Sequence, residues 1–260
     1  MSTKLTGFAN AHYVLLARSC AVIFGCLAVW WGIVGLPIFW QESSEARISN
    51  RIIAGDSFEG EILASQLPII NGIEMSAYCR PEALRSAAII RLRIAEQDSL
   101  AESLDKTNAR VNAATDSMRK SLTCSPADPF LWLALYAVYS RQDGNRLEDL
   151  RYLMLSYQLG PNEGWIALKR NRIAFANFQG LPPEVSEAAI GEFVALLQSK
   201  FYKEAAEEFV GPAWPERELI LLRLAHIADQ DRQGLADELD KRGYNINLPG
   251  VVNRNLRPWH

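Results

Sequence analysis

The chain has 260 residues, with 27 basic and 30 acidic side chains and a formal net charge of −3 at pH 7. This mildly acidic balance gives no electrostatic case for nucleic-acid binding. The length beyond the first forty residues is enough for one large or two small domains.

The most distinctive stretch is 19–40, SCAVIFGCLAVWWGIVGLPIFW, which carries no charged side chain. As a helix it extends about 33 Å, enough to cross a hydrocarbon core of about 30 Å. The alternative is a cleaved signal peptide, whose apolar region has about 7–15 residues and ends in a small-x-small site. This run is longer, contains Trp30 and Trp31, and lacks such a site. We therefore predict an uncleaved transmembrane helix.

The charges that flank this helix predict its orientation. Lys4 and Arg18 precede it without any acidic residue, whereas Glu42 and Glu45 follow it. Because positively charged flanks stay in the cytoplasm, we predict a cytoplasmic tail over 1–18 and a body outside the cytoplasm.

Five small residues in the transmembrane segment follow a spacing of 4, 3, 4 and 3, which places them on one helical stripe. Such stripes let a second helix approach closely within a bilayer. We predict a helix–helix contact here, with another membrane protein or a second copy of this chain; the alternative is chance, since Ala and Gly are common in membrane helices. The stripe consists of Ala21, Gly25, Ala28, Gly32 and Gly35.

The rest of the chain is predicted to be all-α. Residues 41–78 form a polar juxtamembrane linker with one short helix, followed by an irregular stretch that turns at Asn71 and Gly72. Residues 244–260 form an extended tail. Between them, over 79–243, apolar residues recur at helical spacing and Gly and Pro interrupt the pattern. Helical hairpins in series of this kind predict an α-solenoid. The predicted helices cover 81–97, 99–122, 130–141, 146–159, 162–177, 184–199, 201–210, 215–228 and 232–242.

Cys79 and Cys124 are the two cysteines outside the transmembrane segment. They stand at the two open ends of the predicted hairpin 81–122, and an antiparallel hairpin brings those ends together. Outside the cytoplasm such a pair predicts a disulfide bond; two buried free thiols are the alternative.

Trp132 and Trp165 stand 33 residues apart, each a few residues after a proline. A helix–turn–helix repeat of about 34 residues with an early Trp is typical of tetratricopeptide repeats. Trp132, Leu135 and Tyr139 match the first helix of that motif. Glu148 and Asp149 lie near the place where its second helix has a small residue. The block therefore resembles a tetratricopeptide repeat without matching all of it.

No catalytic or cofactor motif is recognisable, so we predict no catalytic, cofactor-binding or metal-binding residue and no enzymatic activity. The three histidines are dispersed, and a metal site has too few soft ligands. They are His12, His226 and His260.

One further group of side chains suggests a ligand-binding face. Trp165, Lys169 and Arg172 follow at i, i+4 and i+7, with Arg170 beside them, so that an aromatic ring and cations share one helix face. An acidic peptide or a stacked sugar would fit there. The alternative is that Trp165 belongs to the core and the cations are solvated. Tyr136, Tyr139, Tyr152 and Tyr157 are predicted to be packing residues.

The run CSPADPFLWL…SYQLGPNEGWIALKRNRIAF, with RPW near the C-terminus, resembles a family of membrane-anchored bacterial proteins linked to surface-polysaccharide assembly. The resemblance covers roughly residues 79–259 and supplies no catalytic residues. It implies an inner-membrane protein with a periplasmic body. Its expected role is that of a scaffold that binds another envelope protein, as an accessory to exopolysaccharide polymerisation or export.

Overall fold

The structure is a computed structural model that describes residues 5–97, 104–142 and 147–251, with the side chains of 5–15 and 36–43 left out. Its described residues form α-helices and no β-strand, which confirms the predicted all-α class. The helices are α1 (Leu5–Ile53), α2 (Gly60–Ala64), α3 (Leu67–Met75), α4 (Pro81–Gln97), α5 (Leu104–Cys124), α6 (Pro129–Gln142), α7 (Leu150–Leu159), α8 (Gly164–Ala176), α9 (Pro183–Gln198), α10 (Tyr202–Phe209), α11 (Arg217–Leu224) and α12 (Asp229–Lys241).

The chain divides into two compact units between Cys124 and Ser125. The sequence instead suggested one helical-repeat domain over 79–243. In the first unit α1 continues without interruption to Ile53, so 41–53 are helical rather than linker. The reason is local, because no Gly or Pro occurs between Pro37 and Gly55, and Gly55, at φ 96°, follows the helix.

A second difference concerns the segment before Cys79, which was expected to be irregular. It forms α3, with Pro68 in the first turn, where proline is tolerated. Ile70 and Ile73 are buried on its inner face, so their burial overrides the turn signal of Asn71 and Gly72.

The first unit is held together by α4, which packs against α1, α2, α3 and α5. Ser49 of α1 donates a hydrogen bond to Ser86 of α4 at 3.1 Å between the two Oγ atoms. The predicted α4–α5 hairpin is present, with α5 ending at Cys124 rather than at 122, and the predicted start of its second helix at 99–103 lies outside the described residues. Its apolar core unites buried residues of α2, α3 and α4 with partly buried residues of α1, namely Leu63, Ile70, Ile73, Leu84, Ala87, Ile90, Ile94, Ile48 and Ile52.

In the second unit α6 packs on α7 and α8, and α8 packs on α9. Helix α9 also contacts α10, α11 and α12, and the core of this part is rich in phenylalanine, with Phe193 and Phe209 fully buried. A series of helices is therefore established, whereas the stacked-hairpin solenoid stays a prediction. Residues 244–251 follow as non-helical chain, and the remainder of the predicted tail lies outside the described residues.

Candidate functional site

The apolar helix that was predicted to cross a membrane is present in α1, and its apolar stretch has no protein neighbours within the described residues. The stretch Leu16–Gly35 is the one described helix long and apolar enough to cross a membrane, and none of it is buried within the chain. Trp30 and Trp31 are 68% and 75% exposed. On the small-residue stripe, a Cβ added at Gly25 or Gly32 would meet nothing within 4 Å.

The predicted disulfide bond between Cys79 and Cys124 is also present, with a Cα–Cα distance of 5.6 Å. It closes the open end of the α4–α5 hairpin. Cys20 and Cys26 are free and exposed on α1.

The predicted face around Trp165 is only partly brought together. Lys169 and Arg172 are exposed, but the Trp165 ring is half-buried and packs on Phe130 with a centroid distance of 5.2 Å. Arg170, which was expected to add charge to this face, instead points into the interior and is fully buried. Ligand binding by this face stays a prediction, now without Arg170.

Arg170 is the centre of a buried polar cluster that joins three helices. Its Nη1 donates to the Ser156 carbonyl oxygen at 2.6 Å and its Nη2 to the Gly160 carbonyl oxygen at 3.0 Å, at the C-terminal end of α7. Nε and Nη2 bind the Glu192 carboxylate of α9. The guanidinium group also lies 4.4 Å from the Tyr157 ring centroid. One side chain of α8 thus caps α7 and pairs with α9.

Two further polar residues complete this cluster. Asn171, next in α8, donates from Nδ2 to the Ala189 carbonyl oxygen of α9 at 2.7 Å, and its Oδ1 is buried without a hydrogen-bond partner. Glu208 of α10 is 5% exposed, and its Oε1 is likewise buried and unpartnered. We call the residues Ser156, Tyr157, Arg170, Asn171, Glu192 and Glu208 the Arg170 cluster.

The ionisation of the two carboxyl groups follows from this geometry. Burial, the negative charge of Glu192 and the weaker opposing charge of Arg172 together set the pKa of Glu208 at about 8. Burial also raises the pKa of Glu192, although its bonds to Arg170 oppose this shift. Glu208 therefore favours its neutral form at pH 7, which avoids a second buried negative charge near Glu192.

Carboxyl groups with different proton affinities are what general acid–base catalysis uses. In this cluster, however, Glu192 is engaged by Arg170, and both carboxyl groups are at most 8% exposed. The arrangement is better suited to joining α7, α8 and α9 than to receiving a substrate.

The tyrosines make the packing contacts expected of them. Tyr136 is fully buried, and burial together with nearby Asp149 raises its pKa to about 12. Tyr152 stacks between Trp132 and Tyr139, with centroid distances of 5.7 and 5.6 Å.

No group of three or more His, Cys, Asp or Glu side chains able to hold a metal ion occurs within the described residues. His226 is exposed and follows the end of α11, rather than lying within an apolar helix as its sequence context suggested. A surface cleft of about 540 Å³ has both apolar and polar lining residues, and Glu216 is its one charged lining residue. The others include Phe175, Phe178, Pro212, Pro215, Asn177 and Gln179.

Gly160, whose carbonyl oxygen accepts a hydrogen bond from Arg170, also allows a close approach of Pro129. A Cβ at this position would lie 2.7 Å from Pro129 Cγ, so Gly160→Ala must displace the end of α7. We expect a loss of about 1–3 kcal/mol in the free energy of unfolding, measured by urea denaturation. Gly191→Ala is the matched control: it is helical with open space around its Cβ, and should gain about 0.5–1 kcal/mol. Equal effects of the two variants would contradict the close approach.

Comparisons with protein-family models, with curated proteins and with solved structures found no match to this chain. The functional argument therefore depends on the residues and geometry described above.

Proposed function

We propose that this protein is a membrane-anchored helical scaffold whose body lies outside the cytoplasm and binds another envelope protein. The observation that carries the proposal is the exposed apolar surface of α1. Large apolar side chains from Leu16 to Val34 are each more than half exposed. Such a surface is strongly unfavourable in water and favourable in a bilayer, and a helix satisfies its own backbone hydrogen bonds there.

The orientation is supported by two independent features. Lys4 and Arg18 precede the span without acidic residues, as the cytoplasmic flank of a membrane helix does. The Cys79–Cys124 bond belongs to the body, and disulfides persist in oxidising compartments such as the bacterial periplasm. Both features favour a single-pass inner-membrane protein with a periplasmic body.

The disulfide gives a direct test of this orientation. In non-reduced native membranes, Cys79 and Cys124 should resist alkylation, and mass spectrometry should find them joined. The disulfide bond closes a loop with a sequence separation of 45. Breaking it with Cys79→Ser should therefore lower the free energy of unfolding by about 4 kcal/mol. Cys20→Ser is the control and should change little. If Cys79 and Cys124 are both alkylated in native membranes, the body faces the cytoplasm.

The partner surface is proposed to combine the small-residue stripe with the helical body. The space around Gly25 and Gly32 lets a second helix backbone approach α1 closely. The second unit, with hairpins proposed to stack as in a tetratricopeptide-like solenoid, supplies an extended surface for a periplasmic protein. The resemblance to proteins of surface-polysaccharide assembly makes a polymerase or exporter subunit the proposed partner.

The experiment that tests this function is crosslinking in native membranes followed by co-purification. Gly25→Leu with Gly32→Leu should abolish capture of the partner, because the added side chains fill the approach surface. Ile23→Leu with Val34→Leu is the matched control, since these exposed residues lie on the face of α1 opposite to the small-residue stripe. Unchanged capture by the glycine variant would remove the span from partner binding. Capture of the chain itself would indicate a homo-oligomer.

A further inference from the structure

The segment between α3 and α4 exposes two large side chains in the first unit. Met75 is 86% and Tyr78 is 81% exposed, the highest exposures among the large hydrophobic side chains the structure describes. Tyr78 is held in place, because the neighbouring Cys79 is bonded to Cys124 at the end of α5.

The direction in which this segment points follows from the packing of α4 on α1. Ser49 of α1 is hydrogen-bonded to Ser86 of α4. Gln97, at the end of α4, donates from Nε2 to the carbonyl oxygen of Phe58 at 2.7 Å, and Phe58 follows the end of α1. The two helices therefore run in the same direction, away from the span. Helix α4 starts at its end nearest the membrane, and the segment that leads into it lies on that side.

Helix geometry gives the height of this segment above the bilayer core. Pro81 precedes Ser86 by five residues, so it lies level with about residue 44 of α1. That level is about 13 Å beyond Gly35, where the apolar stretch ends. Headgroups extend about 5–8 Å beyond the hydrocarbon core on each side. The chain from Tyr78 to Pro81 covers up to about 10 Å, so an extended chain directed toward the bilayer lets Tyr78 reach the headgroup layer.

The chemistry of the segment fits that layer. Tyrosine has an apolar ring and a polar hydroxyl, and it is enriched at membrane interfaces. Lys120 is exposed beside the segment, where its Nζ donates to the Glu74 carbonyl oxygen. An ammonium group has three protons, so this contact leaves two for a lipid phosphate.

We propose that Tyr78, with Met75 and Lys120 beside it, contacts the phospholipid headgroups on the side where α1 leaves the bilayer. The proposal rests on the membrane anchorage by α1 proposed above. It gives the first unit a second attachment to the membrane and so fixes its rotation about α1.

The test uses the full chain in nanodiscs of phosphatidylethanolamine and phosphatidylglycerol. p-Acetylphenylalanine is introduced at one position at a time and coupled to a hydroxylamine nitroxide, which leaves the disulfide untouched. The positions are Tyr78, Phe24 within the span and Leu104. Leu104 is the matched control, because it is 79% exposed but lies at the opposite end of α5, about 30 Å from Cys124.

Frequent collisions of the nitroxide with oxygen indicate that the label lies in lipid. Frequent collisions with a water-soluble nickel chelate indicate that it lies in water. The oxygen-to-nickel ratio at Tyr78 is expected to be several-fold above that at Leu104 and below that at Phe24. A ratio at Tyr78 equal to that at Leu104, with a lipid signal at Phe24, overturns the proposal and leaves the anchorage intact. A solvent signal at Phe24 overturns the anchorage itself.

Discussion

Replacing Arg170 with methionine is expected to lower the free energy of unfolding by about 3–5 kcal/mol. The change leaves the Glu192 carboxylate buried without its counterion, and it removes the donors to the Ser156 and Gly160 carbonyl oxygens. Urea denaturation followed by circular dichroism measures the loss. Hydrogen exchange should locate it in α7, α8 and α9.

Two controls separate the buried pair from a general effect of losing a cation. Lys169→Met removes an exposed charge from the adjacent position and should change stability by less than about 0.5 kcal/mol. The double variant Arg170→Met with Glu192→Leu removes both charges and should recover much of the lost stability. A double variant less stable than Arg170→Met would show that the pair does not act as a unit.

Glu208→Gln is expected to stabilise the protein at alkaline pH and to have little effect near pH 4.5. The pKa of Glu208 is about 8 in the folded chain and near 4.3 in an unfolded one. Between these values the folded state binds more protons, so native stability falls as pH rises. The stabilisation is complete below about pH 4.3 and is lost through pH 8. Glutamine mimics the protonated acid and lacks this dependence.

The measurement is the difference in unfolding free energy between the variant and the native chain at pH 4.5, 6 and 8. The difference should grow to about 4–5 kcal/mol at pH 8, following about 1.4 kcal/mol per pH unit. Glu207→Gln is the matched control, because Glu207 is an exposed neighbour that binds Arg242 and should show no such growth. A difference independent of pH would mean that Glu208 is ionised in the folded state.

The residues of the Arg170 cluster show what sequence reasoning missed. Arg170 lies beside exposed Lys169, and helical spacing alone placed both on one basic face. A signal was present in α9, where Glu192 falls on the same stripe as Ala189, Phe193 and Leu196. A carboxylate on an apolar stripe indicates a buried charge and therefore a buried counterion. The sequence pattern marks Glu192 as a buried acid, but it does not identify Arg170, 22 residues away, as the residue that pairs with it.

The sequence by itself determined the features that depend on neighbouring residues. These are the apolar span, most helix positions and the pairing of Cys79 with Cys124, because helical periodicity and hairpin closure act over short ranges. Only the tertiary structure decided that Arg170 turns inward and that burial raises the pKa of Glu208. The physical reason is that burial of a charge depends on contacts between helices distant in sequence, which a local pattern does not specify.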